Sequence, residues 1–255
     1  QSPPEYRYSV YHAIDSFWLA SYQGDIQLAS EQVEEVKNRG ADDLTLLGAK
    51  AYLAFSSGFY KKAAELYSKS YQLRPSATLL NNTAFSYWRE GALVKAEETI
   101  NGVLSLVPNN FKAIRLQANI WLLQGKLDKA IINYQNIVSQ LNNGTDLTNL
   151  SLAYALNKQY EKSFEFARKA LNQSPNHPVK LLNLADVEML LGNAESAKVY
   201  YQKVILILIG KNEVKYLTNL AQAYAHMQQA NLAITSLKQA QNLAPKNGEV
   251  SYAAS

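Results

Sequence analysis

The chain has 255 residues, 47% of them hydrophobic and 11% aromatic, enough apolar material for a packed core and too much for a disordered segment. Its 25 basic and 21 acidic residues leave a formal charge of +4 spread along the sequence, without the clustered Lys and Arg of a nucleic-acid surface. Cysteine is absent, which excludes disulfides, thiolate metal sites and cysteine nucleophiles, and favours an extracytoplasmic, periplasmic setting over a cytoplasmic one.

In chain order, Gln1-Ser2-Pro3-Pro4-Glu5 opens a segment, 1–9, that reads as a linker joining this stretch to something larger. From residue 10 a beat sets in. Glycines stand at 24, 58, 91, 125 and 192, at separations of 34, 33, 34 and 67 residues. Five residues after each comes an alanine: Ala29, Ala63, Ala96, Ala130 and Ala197. The beat skips its glycine at Lys158 but resumes with Ser163, Ala170 and Pro175. A fixed period of this size means one supersecondary unit stacked many times.

The stretch from Thr78 to Pro108 shows what that unit is. Leu80, Ala84 and Tyr87 share one helical stripe, Glu90-Gly91 breaks it, and Leu93, Ala96, Ile100, Val103 and Leu104 form a second. Pro108 ends the second helix. The small residue five after the turn marks the close crossing of two helices, where a larger side chain overpacks. Each unit is therefore two helices joined by a short turn. The units tile as 10–43, 44–77, 78–110, 111–143, 144–177, 178–211 and 214–247, and 248–255 reads as the start of a further or capping helix. The longest uninterrupted apolar run, Val204 to Ile209, falls far short of the ~20 residues of a membrane-spanning helix. With nothing polar on either face, it is expected to meet the longer connection after it or a second copy through 204–213.

This pattern resembles the tetratricopeptide repeat. In the fourth unit Ile114, Ala118, Trp121, Gly125, Leu127, Ala130, Tyr134 and Ile137 match its framework, and in the seventh Gln228 takes the place of the turn glycine. The resemblance implies an all-α, right-handed superhelix (an α-solenoid) of about seven hairpins, with first helices lining a concave groove. A slighter similarity, carried by Leu181-Leu182-Asn183-Leu184-Ala185-Asp186, Leu190-Leu191-Gly192 and Glu249 to Ala254, is to the repeat tails of some membrane-anchored bacterial signalling proteins.

No catalytic arrangement stands out. His12, His177 and His226 sit in different units and read as surface or loop residues, and no phosphate loop, GxGxxG or metal-spaced histidine pair occurs. Neither an enzyme nor a cofactor is expected. The groove positions say more. In the first three units they hold Trp18, Tyr22, Tyr52, Phe55, Phe85 and Trp88, an aromatic wall of the kind that makes interface hot spots, while Leu47, Leu80, Ala84 and Tyr87 fill the core. The middle of the groove turns polar, with Asn81, Arg89, Lys112, Arg115 and Asn119. Arg115 and Asn119, four residues apart, present donors on one face.

Some tetratricopeptide proteins clamp a C-terminal carboxylate. Arg115, Asn119 and Asn149 match the first three roles of that clamp, but Val179 and Asn183 do not match the last two, so the clamp is incomplete. Asn82, Asn149, Asn183 and Asn219 recur at one repeat position, which points to a shared hydrogen bond between helices. Further on, Leu152, Leu182 and Met189 form an apolar floor or else pack. The sequence thus predicts a non-catalytic scaffold binding a partner protein or extended peptide. The alternative is a sensor for a small ligand or envelope component, marked by a compact cavity at Trp18, Tyr22, Tyr52 and Phe55.

Overall fold

The structure, a computed structural model, describes the backbone of residues 4–243 and side chains from residue 10 onward. Among the described residues there are fourteen α-helices and no strand. They are α1 (Pro4–Gln23), α2 (Ile26–Asn38), α3 (Asp43–Ser56), α4 (Tyr60–Leu73), α5 (Ala77–Glu90), α6 (Leu93–Leu106), α7 (Phe111–Leu123), α8 (Leu127–Leu141), α9 (Gly144–Leu156), α10 (Tyr160–Asn172), α11 (Pro178–Leu190), α12 (Ala194–Leu208), α13 (Val214–His226) and α14 (Ala230–Leu243). The chain folds as two compact units, Gln1–Ile120 and Trp121–Ser255, with the boundary inside α7.

The segment expected as a linker is helical from Pro4 onward. Proline breaks a helix interior but is tolerated in the first turn, where its missing N–H has no intrahelical partner to lose, so the Pro-rich opening belongs to a helix start. The helix expected from Gly248, and Pro245 before it, lie outside the described residues.

Every hairpin turn carries a residue with positive φ, and two of these are not glycine: Lys158 at 58° and Gln228 at 60°. Both skipped beats keep the backbone of the turn. At Lys158 its own N–H reaches the Ala155 carbonyl at 2.9 Å, and the next N–H, of Gln159, reaches Tyr154 at 2.9 Å. That pairing satisfies two carbonyls at the end of α9. The small residue five positions on is buried in all seven hairpins, at Ala29, Ala63, Ala96, Ala130, Ser163, Ala197 and Ala233.

Among the described residues the core of the first unit includes three small clusters. Phe17, Ala20, Ala29, Val33 and Ala49 tie α1, α2 and α3. Ala51, Ala54, Ala63 and Tyr67 tie α3 and α4. Ala84, Ala96, Ile100, Val103, Ala113, Leu116 and Ile120 tie α5, α6 and the first turns of α7. In the second unit one cluster spans α11 to α14 and is bulkier, with Leu181, Leu182, Tyr201, Val204, Leu208, Leu220 and Tyr224.

Candidate functional site

In the first unit the odd-numbered helices carry the predicted aromatic residues on one face. The rings gather into two sets. Trp18 meets Tyr52 edge-on at 5.0 Å and Phe17 at 4.9 Å, with Tyr22 6.4 Å away. One step along α3, Phe55 stacks on Phe85 at 5.3 Å and Phe85 on Trp88 at 5.3 Å, so α3 and α5 share a row of rings. Offset and edge contacts of this kind stabilise by ~0.5–1.5 kcal/mol beyond area burial.

The rings differ in what they leave for a partner. Tyr22 is 81% exposed, Phe85 37% and Trp18 36%. Tyr52, Phe55 and Trp88 are half-buried and pack against the three core clusters, so they brace the wall more than they face solvent. Trp88 carries a further feature: its indole Nε1 is buried without an acceptor. Such a donor costs free energy in the folded state.

The polar residues divide in the same way. Arg89 donates from Nη2 to the Tyr60 hydroxyl at 2.6 Å and lies 4.7 Å from the Tyr60 ring centroid and 6.0 Å from that of Phe55. Its charge is thus fixed over the second ring set instead of reaching into open solvent. Asn81 is half-buried and Lys112 exposed. Arg115 and Asn119 are half-buried and neither is free of partners.

A void of about 190 Å³ does adjoin Trp18, but it is lined by Ile14, Phe17, Val36, Leu44, Thr45, Gly48 and Ala49. Tyr22, Tyr52 and Phe55 do not line it.

In the second unit Leu182 is buried in the core while Leu152 and Met189 are exposed. Within the apolar run, Val204 and Leu208 are core residues, whereas Leu206 is 76% and Ile209 61% exposed. Asn183 donates from Nδ2 to Ser151 Oγ at 3.0 Å, joining α11 to α9, which is the kind of inter-helix bond its repeat position predicts.

Asp186 and Gln222 fall at groove positions by sequence, but the sequence does not show their convergence with Tyr201 and His226. The Asp186 carboxylate accepts from the Tyr201 hydroxyl at 2.6 Å and from Gln222 Nε2 at 3.0 Å, and His226 Nε2 lies 3.5 Å from it. The His226 and Tyr201 rings stack at 4.7 Å and 5°. Burial holds the Asp186 carboxyl above its ordinary range, against the opposing pull of Tyr201, His226 and Gln222. Burial, and then donation to Asp186, pushes the Tyr201 phenol up. The group joins α11, α12 and α13 and is a structural junction. The available signal was that Asp186 and Gln222 stand 36 residues apart, close to one repeat.

A family profile described as Tetratricopeptide repeat matches residues 147–177, 181–207 and 214–247. A tetratricopeptide repeat protein from Parabacteroides merdae superposes with a TM-score of 0.73 over 96% of this chain and 97% of that one, at 16% identity. MamA from Desulfovibrio magneticus RS-1 superposes with a TM-score of 0.60 over 68% of this chain and 98% of that one, at 18% identity. In sequence, the bovine BBSome complex member BBS4 is 27% identical over 83% of this chain, which spans 40% of that protein's length. Residues 147–177, 181–207 and 214–247 thus match the tetratricopeptide repeat in sequence, and the helical-hairpin fold of the chain is similar to that of the solved tetratricopeptide repeat proteins.

Proposed function

We propose that the chain is a non-catalytic scaffold whose first unit binds an extended peptide segment of a partner protein on the face of α1, α3 and α5. The observation carrying this reading is the exposure of Trp18, Tyr22 and Phe85 beside cores built largely of alanine. Large rings left outside while small residues fill the inside are anchors available to a partner. Tyr52, Phe55 and Trp88 back those anchors, Arg89 adds a charge held against Tyr60 and Asn81 an amide, and Lys112, Arg115 and Asn119 continue the face along α7. The membership of the bovine relative in a protein complex accords with a role in assembly.

The test is selection of linear peptides from a random display library on the purified protein, then titration of the enriched peptides. Trp18→Ala combined with Phe85→Ala is expected to weaken binding by about tenfold or more at unchanged far-UV circular dichroism. Undiminished affinity in the double variant sinks the assignment.

A second surface is favoured by a separate observation, the exposed Leu206 and Ile209 at the end of α12. This patch pairs two copies of the chain through 204–213. Sedimentation velocity is expected to show dimer in the wild type and monomer in Leu206→Glu with Ile209→Glu. A wild type that stays monomeric at every concentration removes this reading.

A further inference from the structure

On the opposite side of α3 lies a pocket of about 550 Å³, walled by α2, α3 and the start of α4. At 100° per residue, Lys50, Leu53, Ala54 and Ser57 share the stripe of α3 that points away from Tyr52 and Phe55, so this pocket is separate from the aromatic face. Its volume falls in the range of small-molecule sites, ~300–1,000 Å³. The floor is apolar, formed by Val33, Leu53 and Leu66, with the exposed Phe59 ring at the edge.

The polar groups are mostly of one sign. Lys50 and Lys62 line the pocket, and neither has a hydrogen-bond or ion-pair partner among the described residues. The one carboxylate lining it, Glu34, is 3.4 Å from Lys37, outside the pocket.

Lys50 stands at a register that the second unit fills with leucine. Eight residues before the turn, the second unit buries Leu150, Leu184 and Leu220. A lysine at that position keeps its stem along apolar surface and its ammonium at the rim, where it is available to an anion.

We propose that this pocket binds a linear acyl carboxylate, with the hydrocarbon over Val33, Leu53 and Leu66 and the carboxylate between Lys50 and Lys62. Apart from Ser30 and Ser57 the lining between the charged groups is apolar, which suits a chain that makes no directional bonds, and the two unpaired ammonium groups supply the complementary charge.

Isothermal titration with decanoate below its micelle concentration tests it, with decanol and acetate as controls. Decanoate is expected to bind saturably, and both controls at least about tenfold more weakly. Lys50→Leu restores the leucine of the other unit and is expected to fold while losing about tenfold in decanoate affinity. Lys62→Gln, at an exposed position, is expected to lose several-fold and guards against a folding artefact in the first variant. Equal affinity for decanoate and decanol, indifference to both substitutions, or binding only of an acidic peptide would overturn the proposal.

Discussion

The two units repeat one hairpin and differ in where their aromatic rings stand and in what fills one register. From Trp121 onward, Leu147, Leu150, Leu181, Leu184, Tyr201 and Leu208 are fully buried. Up to Ile120, alanines fill many of the buried positions, including Ala51, Ala63, Ala84 and Ala96, and Trp18, Tyr22, Phe59 and Phe85 stand outside. Eight residues before the turn, the second unit buries leucine three times, where the first has Ser16, Lys50, Thr83 and Gln117. The family profile matches only the leucine-bearing unit. The same backbone thus carries leucine at one buried register in the second unit and leaves several aromatic rings exposed in the first.

The sharpest way to break this comparison is to truncate one residue of each kind. Leu184→Ala, deep in α11, is expected to cost about 2–5 kcal/mol in urea denaturation. Phe85→Ala is expected to cost less, about 1–2 kcal/mol, because its ring is partly in solvent although it stacks on Phe55 and Trp88. Equal losses would end the distinction.

Enlarging the inside of the first unit should hurt it. Ala63→Leu, at the crossing of α3 and α4, is expected to cost about 1–3 kcal/mol by overpacking.

Alkaline titration sharpens the comparison further. Burial pushes the Tyr67 phenol from 10.0 up to about 12, with the neighbouring Tyr52 adding to it. The unfolded chain ionises at the ordinary value, so this stabilisation is complete below pH 10 and is lost as pH rises toward about 12. Tyr67→Phe is expected to flatten that loss in pH-dependent denaturation.

The smallest effects are gains. Lys158→Gly and Gln228→Gly each relieve a left-handed backbone and are expected to add about 1 kcal/mol. Gly48→Ala, mid-helix in α3 with nothing within 4 Å of the added Cβ, is expected to add a similar ~0.5–1 kcal/mol. A thermal melt that falls for any of the three contradicts the assigned backbone.

The hairpins were legible because their signals are local. A left-handed turn and a close helix crossing each constrain one residue, so the glycine and small-residue beats stand out. Even the exceptions kept their conformation, as Lys158 and Gln228 show. The start of α1 was not legible, since a Pro-Pro pair looks the same before a helix and in a linker. Nor was the division of the aromatic wall into exposed Trp18 and Phe85 and braced Tyr52 and Trp88. That division depends on how the rings meet across helices, as Trp18 meets Tyr52 and Phe55 meets Phe85. The Asp186 junction was hidden for a like reason: Tyr201, Gln222 and His226 converge only once three helices have packed.

The hydroxyl pair inside the hairpin of α9 and α10 has a consequence for how a repetitive chain finds its order. Ser151 and Ser163 contact one another at 3.1 Å in full burial, and Asn183 donates to Ser151 from the next helix. At the two equivalent positions the other hairpins after the first carry alanine: Ala51 and Ala63, Ala84 and Ala96, Ala118 and Ala130, Ala185 and Ala197, Ala221 and Ala233. If α9 slid one place along the array and met another second helix, it would strand a hydroxyl among methyl groups, at ~1–3 kcal/mol. The trio thus labels one hairpin as distinct from its copies, and so guards the sequence of stacking in a molecule whose parts could otherwise be exchanged.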